Sequence, residues 1–430
     1  MSQVSTPTCQ GLEATFGFGD RLGLATPGHV DALRRVGIGR VRGVFAQQSI
    51  RELQRTGRDP EAVLDAAVEG LVQEDFGDPW GADADHLKTE ADVERMAAAG
   101  FHTFTLDPSD ELVTDADAWS DDEILDRFDA APIDWIGEYL DQTIEMPSGD
   151  RIELHELRMK RIALKYDAAL QHVLRLAAKV ESSCSEYAQN WELEVSVDET
   201  QTPTSLAEHY IIADRLIRVG GLGERLVALA PHFPGTFEKG VDFIGDIAAF
   251  ESSLADHATI AANLGPYKLS LHTGSDKLSI YPAFGRITEG RFHVKTSGTS
   301  YLEGLRVAAI EEPDLFRRIV GFAREHFERD RASYAIHADL AALPGPEDLS
   351  DPDLERTYLG EWGAEPEGED EAWEGLTDAG RQVMHVTFGS VLGDGTLGPE
   401  LLQVLDEFPG TYRELLVDHF ERHLKALFAG

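Results

Sequence analysis

The chain has 430 residues, 42% of them hydrophobic, with 38 Lys+Arg against 78 Asp+Glu and a formal net charge of −40. That apolar share can bury a core, unlike a disordered acidic chain. The acid excess repels phosphates, so nucleic acid and anionic membranes are excluded as partners. Only nine of the 38 basic residues are lysine, a surface suited to a halophilic, salt-rich cytoplasm that screens repulsion within a few Å. Cys9 and Cys184 form no metal or redox spacing, and neither an export signal nor a run of roughly 18 apolar residues occurs. A cytoplasmic protein is expected.

Short runs of β-branched and apolar residues, each closing in a polar cluster, alternate with amphipathic stretches. In chain order the expected strands are Ala14–Phe18, Val41–Ala46, Asp75–Ala84, His102–Leu106, Leu193–Val197, Arg225–Ala230, Lys268–Leu271 and Phe292–Thr296. Between them His29–Val36, Pro60–Val72, Ala91–Ala99, Ser205–Arg218 and Asp246–Leu264 carry the helical period. Residues 114–180 break the alternation with an acidic stretch, a hairpin over Thr143–Leu154 turning at Ser148–Asp150, and a long helix from Glu156. Beyond Ile310, helical segments Pro313–Asp330, Pro399–Phe408 and Thr411–Phe428 flank Ala364–Trp373, an acidic loop read as a solvated surface run. The pattern predicts an α/β fold, a (β/α)8 TIM-type barrel over 12–310 with an insertion after strand four at about 114–180. A C-terminal helical extension over 311–430 is expected to pack on it.

In such a barrel the chemistry gathers at the C-terminal ends of the strands. Five of the nine lysines, Lys88, Lys239, Lys268, Lys277 and Lys295, lie in or just after strands, which points to a small anionic ligand. His86 and His272, with Glu238 as carboxylate, form a candidate divalent-metal set with open positions; His232 and His293 are rivals for the third place. Such donors admit Zn²⁺, Mn²⁺, Co²⁺ or Ni²⁺. Each histidine taken alone reads as structural. Asp85, adjacent to His86, is placed to act as a base. Glu194 alternates inward with Ser196 and Asp198, a buried carboxylate suited to acid or base work. Gly17-Phe18-Gly19 lacks the third glycine of a dinucleotide fingerprint, so no nicotinamide is expected.

Phe-Gly-Phe-Gly-Asp-Arg-Leu-Gly-Leu-Ala-Thr-Pro-Gly-His (16–29), Phe-Ala-Gln-Gln-Ser-Ile-Arg-Glu (45–52) and Phe-Gly-Asp-Pro-Trp-Gly-Ala-Asp-Ala-Asp-His-Leu-Lys (76–88) are the first motifs of a co-linear series. It continues through 104–110, 194–205, Ser-Leu-His-Thr-Gly-Ser-Asp-Lys (270–277), His-Val-Lys-Thr-Ser-Gly-Thr-Ser-Tyr (293–301) and His385-Val-Thr-Phe-Gly-Ser. The series resembles the tagaturonate/fructuronate epimerase family (UxaE-like enzymes) of hexuronate catabolism, from about Leu12 to the C-terminal helix. The resemblance implies Asp85 as proton acceptor, Glu194 as proton donor, and His86 and His272 as metal ligands, with Glu238 aligned as the third. It departs from the family in two places: no counterpart of a segment ahead of the first motif, and a histidine, His337, that does not stand directly beside Tyr334.

A hexuronate carboxylate calls for cations, and Arg21, Arg51, Lys277 and Lys295 are the candidates, with Gln48, Ser297 and Thr299 as neutral partners. Fructuronate and tagaturonate differ at a carbon β to the ketone, so removing an α-proton does not invert that centre; a retro-aldol/aldol route does. The competing enzymatic reading is a class II-like metal-dependent aldolase, or an epimerase of another sugar acid or sugar phosphate. A homo-oligomer is compatible with the sequence.

Overall fold

The structure, a computed structural model, describes residues 5–146, 151–366, 368 and 371–430. The strands are β1 (Thr15–Phe18), β2 (Arg42–Ser49), β3 (Gly81–Leu87), β4 (Thr103–Leu106), β5 (Gln142–Glu145), β6 (Arg151–Leu154), β7 (Glu192–Ser196), β8 (Leu226–Ala230), β9 (Lys268–Leu271) and β10 (Phe292–Thr296). Eight of them close into a parallel barrel in the order β1-β10-β9-β8-β7-β4-β3-β2, while β5 and β6 pair antiparallel outside it. The α/β barrel expected from the alternation is therefore the fold.

Alternation along the strands separates two environments. Phe16, Phe18, Ala82, Ala84, Phe104, Leu193, Val195, Leu269 and Val294 are buried toward the helices. The opposite parity carries Thr15, Asp83, Asp85, Thr105, Glu194, Lys268, His293 and Lys295, all buried. Lys295 on β10 touches β3, β4 and β7, none of them its sheet neighbour, so its side chain crosses the lumen. Branched aliphatics usually fill such a lumen; charges and hydroxyls fill this one. Near the N-terminal mouth the Glu192 carboxylate accepts from the Gln10 and Gly11 amides at 3.0 and 2.8 Å and from the Thr103 hydroxyl at 2.8 Å.

The third strand lies later than its predicted span, Asp75–Ala84. Asp75 has φ +50°, Pro79 has no amide to donate, and the Trp80 indole is pinned to the Ser5 carbonyl at 2.8 Å, so 75–80 is a turn. Asp85 and His86 consequently lie within the strand rather than after it.

Surrounding helices begin where side chains replace missing backbone acceptors. Asp59 caps Pro60–Gln73, and capping boxes start Glu90–Ala99 (Thr89 with Asp92) and Leu206–Asp214 (Ser205 with Glu208), each cap contributing about 1 kcal/mol. The 31-residue helix Glu156–Glu186 packs on Glu90–Ala99 and on β4, and so stands within the ring. The hairpin pairs as expected; its turn Ser148–Asp150 lies outside the described residues, as do Glu367, Glu369 and Asp370 of the acidic loop. The C-terminal helix Pro409–Leu427 packs on Thr26–Ala32 and Thr299–Glu311. Its Phe420 ring lies 6.1, 5.1 and 4.8 Å from the rings of Phe16, Phe18 and His29. No described helix is long and apolar enough to cross a membrane.

Candidate active site

A bulge builds the centre of the site. The β3–β4 register shifts between Ala84 and Leu87, and His86 sits at φ +53°, a left-handed conformation costing a non-glycine residue about 1–3 kcal/mol. In a regular strand Asp85 and His86 would face opposite sides. Here Asp85 Oδ1 reaches Lys295 Nζ at 2.6 Å, and His86 Nδ1 reaches Asp107 Oδ2 at 2.9 Å, with the two side chains 3.9 Å apart. Bulges re-aim side chains in this way beside active sites.

Lys295, expected from the sequence to face substrate, is instead the hub of the lumen. Its ammonium lies 2.6 Å from Asp85, 2.9 Å from Asp83 and 2.9 Å from Glu194, and donates to Thr105 Oγ1 at 2.7 Å. Burial opposes its charge, but these carboxylates hold it well above the usual lysine range. Conversely, burial would raise the Asp85 and Glu194 carboxyls, and Lys295 foremost holds both below their ordinary values. Two carboxylates on different strands are thereby kept ionised around one buried cation.

Two imidazoles stand beside them with ring centroids 5.0 Å apart. His272 Nε2 contacts Glu194 closely, and its Nδ1 lies 3.3 Å from Asp198. Burial disfavours its charge, but Asp198 and then Glu194 outweigh that and raise it to about 10. His86 is likewise raised, burial being overcome by Asp85 and Asp107. His86 thus has a carboxylate hydrogen-bonded at Nδ1, an arrangement typical of metal-ligating histidine, whereas His272 has Asp198 beside Nδ1 and its Nε2 on Glu194. His86, Asp107 and Glu199 also place ligand atoms within 4.8 Å of one another. Excess carboxylate around paired imidazoles is a donor set that fits a divalent cation.

The third-ligand candidates differ in their commitments. Glu238 Oε2 already accepts from the His337 amide at 3.0 Å and from Gln382 Nε2 at 2.6 Å, and it contacts His337 Nδ1. His293 is tied to Thr15 Oγ1 at 2.8 Å within the lumen. His232 shares the cavity with His86 and His272, its Nδ1 lies 3.2 Å from Thr200 Oγ1, and burial lowers its pKa, favouring the neutral form that ligates.

A cavity of about 660 Å³ opens over this cluster, lined by His86, His272, His232, Asp198, Glu238, Arg51 and Lys239 among others. Arg51 is the one predicted substrate cation that lines it. Arg21 is buried, ion-paired with Glu52 at 2.8 Å and stacked 3.7 Å over Phe388. Lys277, expected to meet substrate, is buried and gives its ammonium to the carbonyls of Glu238, Ser275 and Val241, so it braces the β8 and β9 loops. Gln48 is 1% exposed with neither end of its amide hydrogen-bonded, as is Gln47. Ser297 is half-buried just after β10. Sequence reading assigned no role to Asp83, Asp107 or Asp198. The parity of Asp83 with Asp85 and the place of Asp107 directly after β4 were the available signals.

The family model described as tagaturonate epimerase matches residues 2–427. The tagaturonate/fructuronate epimerase of Thermotoga maritima is 40% identical over 425 residues, covering 98% of this chain and 82% of that protein. The native crystal structure of fructuronate-tagaturonate epimerase UxaE from Cohnella laeviribosi superposes with a TM-score of 0.88 at 37% identity, covering 98% of this chain and 83% of that one. A glycerol complex of the same enzyme gives 0.87. With a match across nearly its whole length, this chain belongs to the tagaturonate epimerase family.

Proposed function

We propose that this chain is an isomerase interconverting D-tagaturonate and D-fructuronate, acting in a salt-rich cytoplasm for which its acid excess is suited. The observation that carries the reading is the pair of ionised carboxylates, Asp85 and Glu194, bridged by Lys295 beside two carboxylate-backed imidazoles. The sugar acids differ at C4, with the ketone at C2. Asp85 removes the C4 hydroxyl proton, the C3–C4 bond breaks, and its electron pair moves onto the C2 oxygen as an enediolate. C4 becomes an aldehyde. Rotation presents its other face, the proton held by Asp85 passes to Glu194 on the opposite face, and C3 attacks as Glu194 returns that proton to the C4 oxygen, leaving both carboxylates ionised again. Lys295 keeps both carboxyls unprotonated before the first transfer and after the last, and Gln48 and Ser297 are hydrogen-bond partners for substrate hydroxyls.

His86 and His272 are the proposed ligands of a divalent cation. Glu238 is the third by alignment, but its existing hydrogen bonds favour His232. When bound, the cation supplies Lewis-acid polarisation of the ketone and adjacent hydroxyl.

Incubation of tagaturonate with the metal-supplemented protein is expected to give fructuronate. Asp85→Asn and Glu194→Gln should each lower kcat by roughly 10²–10⁴. Unchanged turnover in both variants refutes the proton-transfer assignment; steady accumulation of three-carbon products makes the protein an aldolase instead.

A further inference from the structure

The acid cluster leaves two cations of the cavity wall without an ion-pair partner among the described residues. Arg51, in the helix Ile50–Thr56, and Lys239, in the loop after β8, both line it. Neither has a carboxylate within 4.0 Å among the described residues. Lys239 Nζ donates to Thr273 Oγ1 at 3.0 Å, and Arg51 lies 5.1 Å from the Tyr334 ring centroid. The Arg51 charge acts unfavourably on Lys239, and Glu52, Asp198 and Asp85 act on it favourably from beyond 4.0 Å. Nearby Glu52 is committed to Arg21 and to its capping box with Ser49. In a chain with 78 acids and 38 bases, two neighbouring cations kept from carboxylates in a cavity wall carry a cost that an anion would remove.

We infer that Lys239 and Arg51 clamp the carboxylate of the sugar acid, with Thr273 orienting the ammonium. This rests on the hexuronate reading above. It also adds something that reading lacks. After C3–C4 cleavage the carboxylate-bearing fragment is a three-carbon aldehyde that must turn over without leaving. A clamp at C6 retains the fragment, while rotation about C4–C5 turns the aldehyde. Lys239 thereby both recognises substrate and suppresses cleavage.

The test compares the full chain with Lys239→Met and Lys239→Arg. It measures kcat and KM for tagaturonate, release of dihydroxyacetone, and calorimetric affinity for D-gluconate, a six-carbon acid with no ketone to react. The Met variant should raise KM and the gluconate Kd at least tenfold and release dihydroxyacetone alongside epimer. Its melting temperature should stay within about 2 °C of the wild type, and the Arg variant should recover most of the affinity. Unchanged KM and gluconate affinity in the Met variant overturn the clamp. A wild type that binds gluconate through Lys239 but leaves tagaturonate unchanged upholds the clamp and refutes the hexuronate reading.

Discussion

Lys295 shows how one buried charge sets the chemistry around it. Three carboxylates converge on its ammonium, so removing it leaves like charges buried without a counterion. Lys295→Met should cost about 3–5 kcal/mol, read as a lower denaturant midpoint. It should also move the acid limb of the kcat/KM profile to higher pH. Sign follows from Asp85 and Glu194 being held below their ordinary values chiefly against burial by Lys295; without it burial raises both. An acid limb that stays in place would contradict this role. The sequence marked Lys295, Asp85 and Glu194 as functional through scarcity and strand-end placement. Their mutual contact was not legible, because it joins strands that are not sheet neighbours. Lys277 looked equivalent to Lys295 in sequence, yet it faces loop carbonyls, since that choice depends on loop path rather than residue type.

At the scale of elements, the eight barrel strands were legible because alternating apolar residues mark the face that meets the helices. β3 was the exception: its inward residues are Asp83 and Asp85, so hydrophobic periodicity misplaced its start, and its bulge at His86 has no sequence signature. The join between β1 and the C-terminal helix carries a testable pH response. His29 is fully buried, with Nε2 2.8 Å from Ser300 Oγ and rings of Phe18 and Phe420 against it. Burial lowers its pKa to about 4, with His419 adding to the effect and Asp20 opposing it. An unfolded histidine takes its proton near pH 6.5, so the unfolded state binds more protons between about 6.5 and 4 and stability falls as pH drops through that window. The loss attributable to His29 is about 3 kcal/mol by pH 4. Urea midpoints across this range should decline for the wild type and decline less for His29→Phe; equal slopes would refute the assignment.

Across the whole molecule, charge is sorted. The exterior excess of acid accompanies a lumen in which Lys295 meets inward carboxylates and Lys268 donates to the Thr15 hydroxyl, and a cavity wall in which Arg51 and Lys239 have no carboxylate within 4.0 Å among the described residues. Net charge read from composition pointed away from anionic ligands, and the placement of a few cations reverses that locally. The fold supplies the same sorting geometrically: a closed barrel brings β3, β4, β7 and β10 together in the lumen, where Asp85, Thr105 and Glu194 meet the Lys295 ammonium. The central claim is that inversion proceeds by carbon–carbon cleavage rather than by removing hydrogen from the epimeric carbon. Turnover of tagaturonate in D₂O, followed by mass spectrometry and NMR of the fructuronate formed, tests it most directly. The account predicts fructuronate with no deuterium on C4; one deuterium per turnover at that carbon would contradict it.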